Sequence, residues 1–437
     1  MKIFPHAQIS TPISIEIERR ILLEDFGQVV VGFGSCFAQN MQESMRRYGF
    51  RYWYKRDICA HYSTESIANR LEAIAQKAAP GDDDLYHFAN PQRVHAYTYF
   101  LKRHYFGEDA PQRLHDIMAQ STEECRTVIQ TASIIVITLG TSRVMRLKRN
   151  GRVITLNQGI PVCECNFEML SVSQNVQQLQ RIVDAVREIR AGDMPKIILT
   201  ISPQRYLFPP DDLPGVSPYV DNVVQKSILR AAVYEFMEQC AEADLVYFPS
   251  YELVIDELRT LETLSHYDHV HIDQVHTPEY ICKRLFQAHA SDTVQALLEL
   301  SDQAIHIFHE TDEWITGGLP ADHKRIEQKL QGWIDKALRV ATPDRWPRNA
   351  IMALARMLQR AGWDLWLVEL LGDGGYHPYT RYDLAISMNA LGRTEEALKL
   401  CGQVQAELDS LPFEYPGLQT NIKTLLTELE QGKTPVL

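Results

Sequence analysis

The chain has 437 residues, more than one ordinary hydrophobic core organises, so we expect two or more domains. Hydrophobic residues make up 45% of it and charged residues 23%, a globular composition that excludes extensive disorder. The formal net charge of −12 disfavours general binding to nucleic acid or to anionic membranes.

No targeting or membrane-spanning signal stands out. Residues 1–20 lack the apolar centre of a signal peptide. The most apolar stretches, residues 133–139 and 196–201, are far shorter than the roughly 20 residues that a membrane span needs. Eight cysteines are scattered, and the one close pair, Cys163 and Cys165, lacks the spacing of common zinc knuckles. We therefore expect a cytoplasmic protein with reduced cysteines and no membrane span.

Short apolar runs alternate with helical patterns over the first two-thirds of the chain. The runs cover residues 29–33, 134–139, 196–201 and 245–248, and each ends at a turn signal. Long helical patterns cover residues 175–191 and 222–242. This alternation predicts a mostly parallel sheet with helices on both faces. Ligands bind outside the carboxyl ends of such strands, so the residues after each run are the candidate site.

Beyond about residue 290 the sequence pattern predicts helices. Residues 380–408 resemble a tetratricopeptide-type helix–turn–helix, with small residues and a Leu391-Gly392 turn at matching places. An ordinary helical hairpin explains the same pattern. We expect a catalytic domain over residues 1–290, a helical linker over 291–345 and a helical tetratricopeptide-like domain over 346–437. The last of these is a candidate surface for a protein partner.

Ser35 directly follows the first predicted strand and precedes a helical pattern that ends near Gly49. Backbone N–H groups and the helix dipole favour developing negative charge at such a position. A hydroxyl there can act as a nucleophile, with its own N–H helping to bind the oxyanion. The alternative is that Ser35 only caps the helix. We expect the Cys36 side chain to pack into the sheet while its N–H faces the site.

Two copies of an Asp-x-Val-His pattern offer a base and an orienting carboxylate for the serine. One is Asp268/His271 and the other is Asp273/His276. We favour Asp273/His276, because the following Thr-Pro-Glu begins a helix and puts His276 on the loop that enters it. The first pair is the fallback.

The same stretch could instead form a divalent metal site. Its candidate ligands are His266, His269, His271, Asp268 and Asp273. Helical zinc sites usually space two histidines four residues apart, whereas His269 and His271 alternate as in a strand or loop. We therefore expect no metal here.

Several blocks resemble the GSCFA family and follow one another in that family's order. They are Gly34–Ala38 with Asn40, Thr138–Thr141, Leu170–Val172, Thr200–Arg205, Tyr247–Glu252 with Asp256–Arg259, and Asp273–His276. Together they extend over about residues 29–285. The first block is the pentapeptide that names the family.

The resemblance implies a flavodoxin-like three-layer α/β/α sandwich of the SGNH-hydrolase kind. Ser35 would be the nucleophile, His276 the base and Asp273 its orienter. The Cys36 backbone and the Gly140-Thr141 turn would lie near the oxyanion, with Asn40 as a further substrate-site residue. The resemblance implies no cofactor for hydrolysis.

Arg205 follows the third predicted strand, and two roles are open to it. It could clamp an anionic group of the substrate. It could equally pair with Glu252 or Asp256 beneath the site.

Some blocks depart from the family pattern. Residues 62–67 lack the Asn and Pro that the family usually shows there, and a Cys-His-Lys segment is missing after Asn157-Gln158. The block that donates an oxyanion-binding Asn in SGNH hydrolases reads Gly140-Thr141-Ser142 here. These departures bear on the substrate and the oxyanion, and they leave the nucleophile and the base in place.

Three functions follow from these residues. The first is a hydrolase that removes an acyl group from a carbohydrate or related hydroxyl compound through an acyl-Ser35 intermediate. The second is an acyltransferase that uses the same triad and passes the acyl group from acyl-CoA to a hydroxyl acceptor. The third is a non-catalytic protein that binds a partner through its C-terminal helices. We favour the hydrolase.

Overall fold

The computed structural model describes residues 13–431 apart from eleven short segments. These segments are residues 90–92, 97–104, 156–158, 209–213, 241–244, 260–262, 265–269, 274–275, 318–322, 373–375 and 411–415. Asn157-Gln158 and three candidate site residues, His266, Asp268 and His269, therefore lie outside the described residues.

The strands and helices of the described residues are numbered in chain order. The strands are β1 Val29–Gly34, β2 Arg51–Trp53, β3 Leu85–His87, β4 Arg93–Ala96, β5 Tyr105–Phe106, β6 Ile134–Leu139, β7 Arg143–Leu147, β8 Val153–Ile154, β9 Cys165–Met169, β10 Lys196–Ile201 and β11 Leu245–Tyr247. The helices are α1 Cys36–Tyr48, α2 Arg56–Cys59, α3 Thr64–Ala75, α4 Ala110–Thr131, α5 Val172–Ile189, α6 Pro218–Gln239, α7 Ser250–Glu252, α8 His276–His289, α9 Asp292–Gly317, α10 His323–Val340, α11 Arg348–Arg360, α12 Asp364–Leu371, α13 Pro378–Ala390, α14 Thr394–Ser410 and α15 Pro416–Glu430. A π-helical turn, Leu253–Glu257, continues α7.

A five-stranded parallel sheet forms the centre of the first unit. Its strand order is β2-β1-β6-β10-β11, the order of flavodoxin-like folds. Strands β1, β6 and β10 are almost continuously buried, as their unbroken β-branched sequences predict. Helices cover the sheet in two groups, α1 with α8, and α3 to α6. The predicted three-layer α/β/α fold is confirmed.

Two small antiparallel sheets, which the sequence analysis does not predict, flank this unit. Strands β3, β4 and β5 form one, and β8, β7 and β9 form the other. The β7 strand leaves directly from the end of β6 through residues 140–142. The second small sheet therefore stands at the carboxyl edge of the main sheet.

The chain beyond β11 is helical in its described residues, and α9 to α15 bury a second hydrophobic core. Phe26, from the loop before β1, packs against both cores. Helices α13 and α14 form the predicted helix pair around Leu391–Arg393. An ordinary hairpin would look the same, so the tetratricopeptide assignment stays a prediction. No described helix has the length and apolarity that crossing a membrane requires.

The helical region meets the α/β unit at the end of α1. Gly49 caps α1 in the left-handed region, with φ of 101°. A Cβ atom on Gly49 would lie 2.8 Å from the Arg348 backbone nitrogen, at the start of α11. Glycine is required there both by its backbone angle and by this close approach.

Candidate active site

The site begins at the turn between β1 and α1. Gly34 has a φ of 118°, and a Cβ atom on it would lie 2.0 Å from the Thr138 carbonyl oxygen. Because only glycine tolerates this approach, β1 and β6 stay in register up to their last residues. The Ser35 N–H then donates to the same Thr138 carbonyl at 3.1 Å. The predicted use of that N–H for the oxyanion is therefore wrong in this structure.

The Ser35 side chain is the N-cap of α1. Its Oγ accepts from the Phe37 N–H at 3.3 Å and lies 3.2 Å from the Thr138 Oγ1. Only 2% of the Ser35 surface is exposed. Ser35 therefore caps α1 and also occupies the position predicted for the nucleophile, at the carboxyl end of β1 and the N-terminus of α1.

The Gly140-Thr141 turn lies against Ser35, as the resemblance implies. A Cβ atom on Gly140 would be 3.3 Å from the Ser35 Cβ. However, the N–H groups of Gly140 and Thr141 both donate to the Tyr62 carbonyl, at 2.8 and 3.1 Å. Their hydrogens are occupied, so the turn shapes the site without offering these two donors. The Cys36 N–H remains as a candidate, because the first N–H groups of a helix have no acceptor within it.

The Cys36 side chain packs against the core of the α/β unit, and its thiol also has polar partners. It is half-buried, and its Sγ lies 3.1 Å from the Tyr62 hydroxyl. Burial opposes the thiolate, but hydrogen bonds from His271 and Tyr62 and the positive charge of Arg56 outweigh it and lower the Cys36 pKa. The structure thus brings the imidazole of His271 to the residue next to Ser35.

The segment that carries His271 is held at both ends. The Arg205 N–H donates to the Val270 carbonyl at 3.0 Å, and the Asp273 N–H donates to the Thr263 carbonyl at 2.9 Å. Between them Ile272 is fully buried. The burial of Ile272 and the main-chain hydrogen bonds therefore fix the backbone position of His271.

Asp273 and His276 lie at the start of α8. The Asp273 carboxylate accepts from the His276 N–H at 2.6 Å and from the Thr277 N–H at 2.9 Å, which is the geometry of a helix cap. The His276 side chain is exposed to solvent. Within the described residues, no contact joins its imidazole to Ser35.

The sequence model of the GSCFA family matches residues 29–285, more than half of the chain. The chain belongs to the GSCFA family. No curated protein and no solved structure matches it. In this GSCFA domain the family's signature is the β1–α1 turn, and the matched range ends within α8.

An aromatic row extends from the signature of the GSCFA domain. Tyr62 packs on Tyr206, Tyr206 on Phe208, and Phe208 on Phe167, with ring centroids 5.1 to 5.6 Å apart. The Arg205 guanidinium lies 5.4 Å from the centre of the Tyr219 ring, near the same place. Tyr62 and Phe208 are buried, and Tyr206 and Phe167 are partly exposed, so the last two rings are the candidate substrate surface of the row.

Helix α6 presents polar groups inward to the GSCFA site. Its buried stripe begins with Asp221, Asn222, Gln225 and Lys226 and becomes apolar from Leu229 onward. Its outer side carries Val220, Val223 and Val224, which are 45% to 63% exposed. The polarity of the first half of the helix is inverted relative to an ordinary surface helix.

Lys226 is the most unusual of these inward groups. Only 2% of it is exposed, and its ammonium donates to the carbonyls of Gly140 at 2.7 Å and Ser202 at 2.8 Å. Burial lowers the Lys226 pKa to about 7. The side chain joins the residues that follow β6 and β10, and the first of these, Gly140, lies against Ser35. The sequence signal that could have revealed it is a lone lysine on the stripe that continues into Leu229 and Phe236.

The remaining inward groups of α6 tie down the turn after β6. Asp221 accepts from Arg143 at 2.5 and 2.8 Å and from the Gln225 amide at 2.6 Å. The Thr141 hydroxyl donates in turn to Gln225. Hydrogen bonds from Arg143 and Gln225 outweigh burial and lower the Asp221 pKa. This network holds the Gly140-Thr141 turn against Ser35.

Asn40 lies in the second turn of α1 and is half-buried. Glu252, one of the two carboxylates considered as partners of Arg205, accepts from Arg230 at 3.0 Å and from the Tyr247 hydroxyl. Within the described part of the chain, no three His, Cys, Asp or Glu residues are grouped as metal ligands.

Proposed function

We propose that this GSCFA protein is a serine-dependent ester hydrolase acting on O-acyl esters of a carbohydrate or a related hydroxyl compound. The observation that carries the proposal is the position of Ser35, at the carboxyl end of β1 and the N-terminus of α1. In a sheet of this order the ligand site is the crevice between β1 and β6, where the strand order reverses. Ser35 and Gly140 are the residues that follow these two strands.

The reaction consists of acylation of Ser35 followed by hydrolysis of the acyl-Ser35 intermediate. The Ser35 oxygen attacks the ester carbonyl carbon while an imidazole takes the hydroxyl proton, and the oxyanion forms near the Cys36 N–H and the α1 dipole. The carbon–oxygen bond to the alcohol then breaks, and the imidazole returns the proton to that alcohol. Water, deprotonated by the same imidazole, releases the carboxylic acid and restores Ser35.

Two imidazoles are candidates for the base. His276 with Asp273 follows the family pattern, and we keep it as the proposed pair. His271 is the alternative, favoured by its hydrogen bond to the thiol next to Ser35. If His276 is the base, its exposed side chain must rotate toward Ser35.

The Asp273→Asn substitution separates the two roles of this carboxyl group. Asparagine caps helices about as well as aspartate, so the variant should keep its stability. An amide does not stabilise an imidazolium as a carboxylate does, so we expect activity to fall by about a hundredfold or more. Unchanged activity would leave Asp273 as a cap only and would move the base to His271.

The Cys36 thiol is a second candidate nucleophile. Its lowered pKa and its contacts with His271 and Tyr62 are features of activated cysteines, and it is more exposed than Ser35. A thiol nucleophile would follow the same two steps through a thioester.

The test is release of acid from a panel of O-acetylated sugars and from p-nitrophenyl acetate. We expect activity in the wild type and loss of at least about a thousandfold in Ser35→Ala. Ser171→Ala is the control, because Ser171 also caps a helix, α5, by accepting from the Gln174 N–H, outside the site. Loss of activity in Cys36→Ala alone would make the thiol the nucleophile.

The same assay, run with acetyl-CoA and an unacylated sugar, tests the acyltransferase alternative. Both reactions use the same nucleophile and differ in whether water or a hydroxyl accepts the acyl group. Formation of acylated sugar instead of free acetate would identify the protein as an acyltransferase and not a hydrolase. If the folded wild type showed neither activity, the protein would be a binding module.

A further inference from the structure

A cavity of about 780 Å³ lies between the α/β unit and the helical region, away from Ser35. Its walls come from the loop before β1, the end of α1, the start of α9, and the first turns of α11 and α13. This volume is in the range of pockets that hold small molecules. The cavity is thus large enough for a ligand that touches both units.

Positive side chains outnumber negative ones by one in the lining of this cavity, although the whole chain is acidic. Four arginines face three carboxylates there, and the side chains are Arg51, Arg345, Arg348, Arg381, Asp25, Asp344 and Glu407. Glu407 already pairs with the Nη2 of Arg381, and Asp25 accepts from the Gly27 N–H. Arg348 is the first residue of α11, and Arg381 lies in the first turn of α13.

Three hydrogen-bond donors in this cavity are buried and have no acceptor among the residues that the structure describes. They are the Nε atoms of Arg348 and Arg381 and the hydroxyl of Thr380. Thr380 is fully buried, and the Arg381 side chain is 11% exposed. A buried donor without an acceptor costs free energy, so a group of three facing one cavity points to a missing acceptor.

Two helix N-termini add to the positive potential. Helix α11 begins at Arg348 without a capping side chain, whereas the His377 side chain lies 3.3 Å from the Tyr379 nitrogen at the start of α13. The Nε2 of His377 accepts from Arg348. Burial, and then the charges of Arg348 and Arg381, lower the His377 pKa to about 3, which keeps the ring neutral. Helix N-termini and guanidinium groups are the elements that bind phosphate in proteins.

From these contacts we propose that the cavity binds the phosphate group of a small phosphorylated molecule. A phosphate offers enough acceptor oxygens for Arg348, Arg381 and Thr380 together, and its charge suits both helix N-termini. The aromatic side chains of Trp346 and Tyr376 line the same cavity and would contact the rest of the ligand. A bound phosphate would link the start of α11 to the start of α13 beside Gly49.

Isothermal titration calorimetry of the full chain at low ionic strength tests this site. The probes are inorganic phosphate, ribose 5-phosphate and AMP, with ribose and adenosine as uncharged controls. We expect phosphate-dependent binding that weakens about tenfold or more in Arg381→Gln and about threefold or more in Thr380→Val. Tighter binding of ribose 5-phosphate or AMP than of inorganic phosphate would identify a larger ligand as the occupant.

Arg339→Gln is the control, because it removes the same charge from an exposed position near the end of α10. Thr380→Val is nearly isosteric, so it keeps the test valid if Arg381→Gln folds poorly by circular dichroism. Absence of binding by all three phosphates at millimolar concentration would overturn the proposal. An equal loss of affinity in Arg339→Gln would also overturn it.

Discussion

Lys226 makes the stability of the α/β unit depend on pH in a defined direction. Burial lowers its pKa from 10.5 to about 7, whereas the unfolded chain regains the ordinary value. Between these two values the unfolded state binds more protons than the folded state, so the free energy of unfolding rises with pH. From pH 7 to pH 9 the shift contributes a gain of about 2 kcal/mol.

The measurement is urea unfolding by far-ultraviolet circular dichroism at pH 7, 8 and 9, for wild type and Lys226→Met. The difference between their free energies of unfolding should move by about 2 kcal/mol in favour of wild type as the pH rises. Lys226→Gln, which keeps a donor for Gly140 and Ser202 but carries no charge, should follow the methionine variant in pH dependence. If the free energies of unfolding of all three proteins changed with pH in parallel, the lowered pKa of Lys226 would be refuted.

Gly34→Ala should destabilise the α/β unit by at least about 3 kcal/mol in urea unfolding, because its Cβ would meet the Thr138 carbonyl; a normal unfolding midpoint would contradict this. Iodoacetamide should alkylate Cys36 at a lower pH than an ordinary thiol, and His271→Ala should raise the pH midpoint of the alkylation rate. An unchanged midpoint would show that His271 does not lower the Cys36 pKa. Tyr206→Ala should raise KM for an acylated sugar about tenfold with little change in kcat, and equal loss on p-nitrophenyl acetate would argue against stacking.

The sequence was most informative where burial is complete. The bounds predicted for β6 and β10 agree with the structure residue for residue, because unbroken β-branched runs mark strands buried on both faces. The Ser35 turn was predictable for a related reason. A glycine and a serine between a buried strand and an amphipathic helix leave few other conformations.

Tertiary contacts explain what the sequence could not show. The Tyr62 carbonyl occupies the N–H groups of Gly140 and Thr141, and no local pattern links residues so far apart in the chain. Helix α6 carries valines outward and Lys226 inward, so a rule that buries apolar residues assigns its first half the wrong face. The small sheets consist of strands of two to five residues, too short for a period to be read.

Covalent labelling shows whether Ser35 is the nucleophile. Wild type is treated with a serine-directed phosphonate, and the labelled residue is located by fragmentation of the peptide that holds both Ser35 and Cys36. We predict a single adduct on Ser35 that disappears in Ser35→Ala and persists in Cys36→Ala. An unlabelled Ser35, together with inactivation by alkylation of Cys36, would contradict the claim.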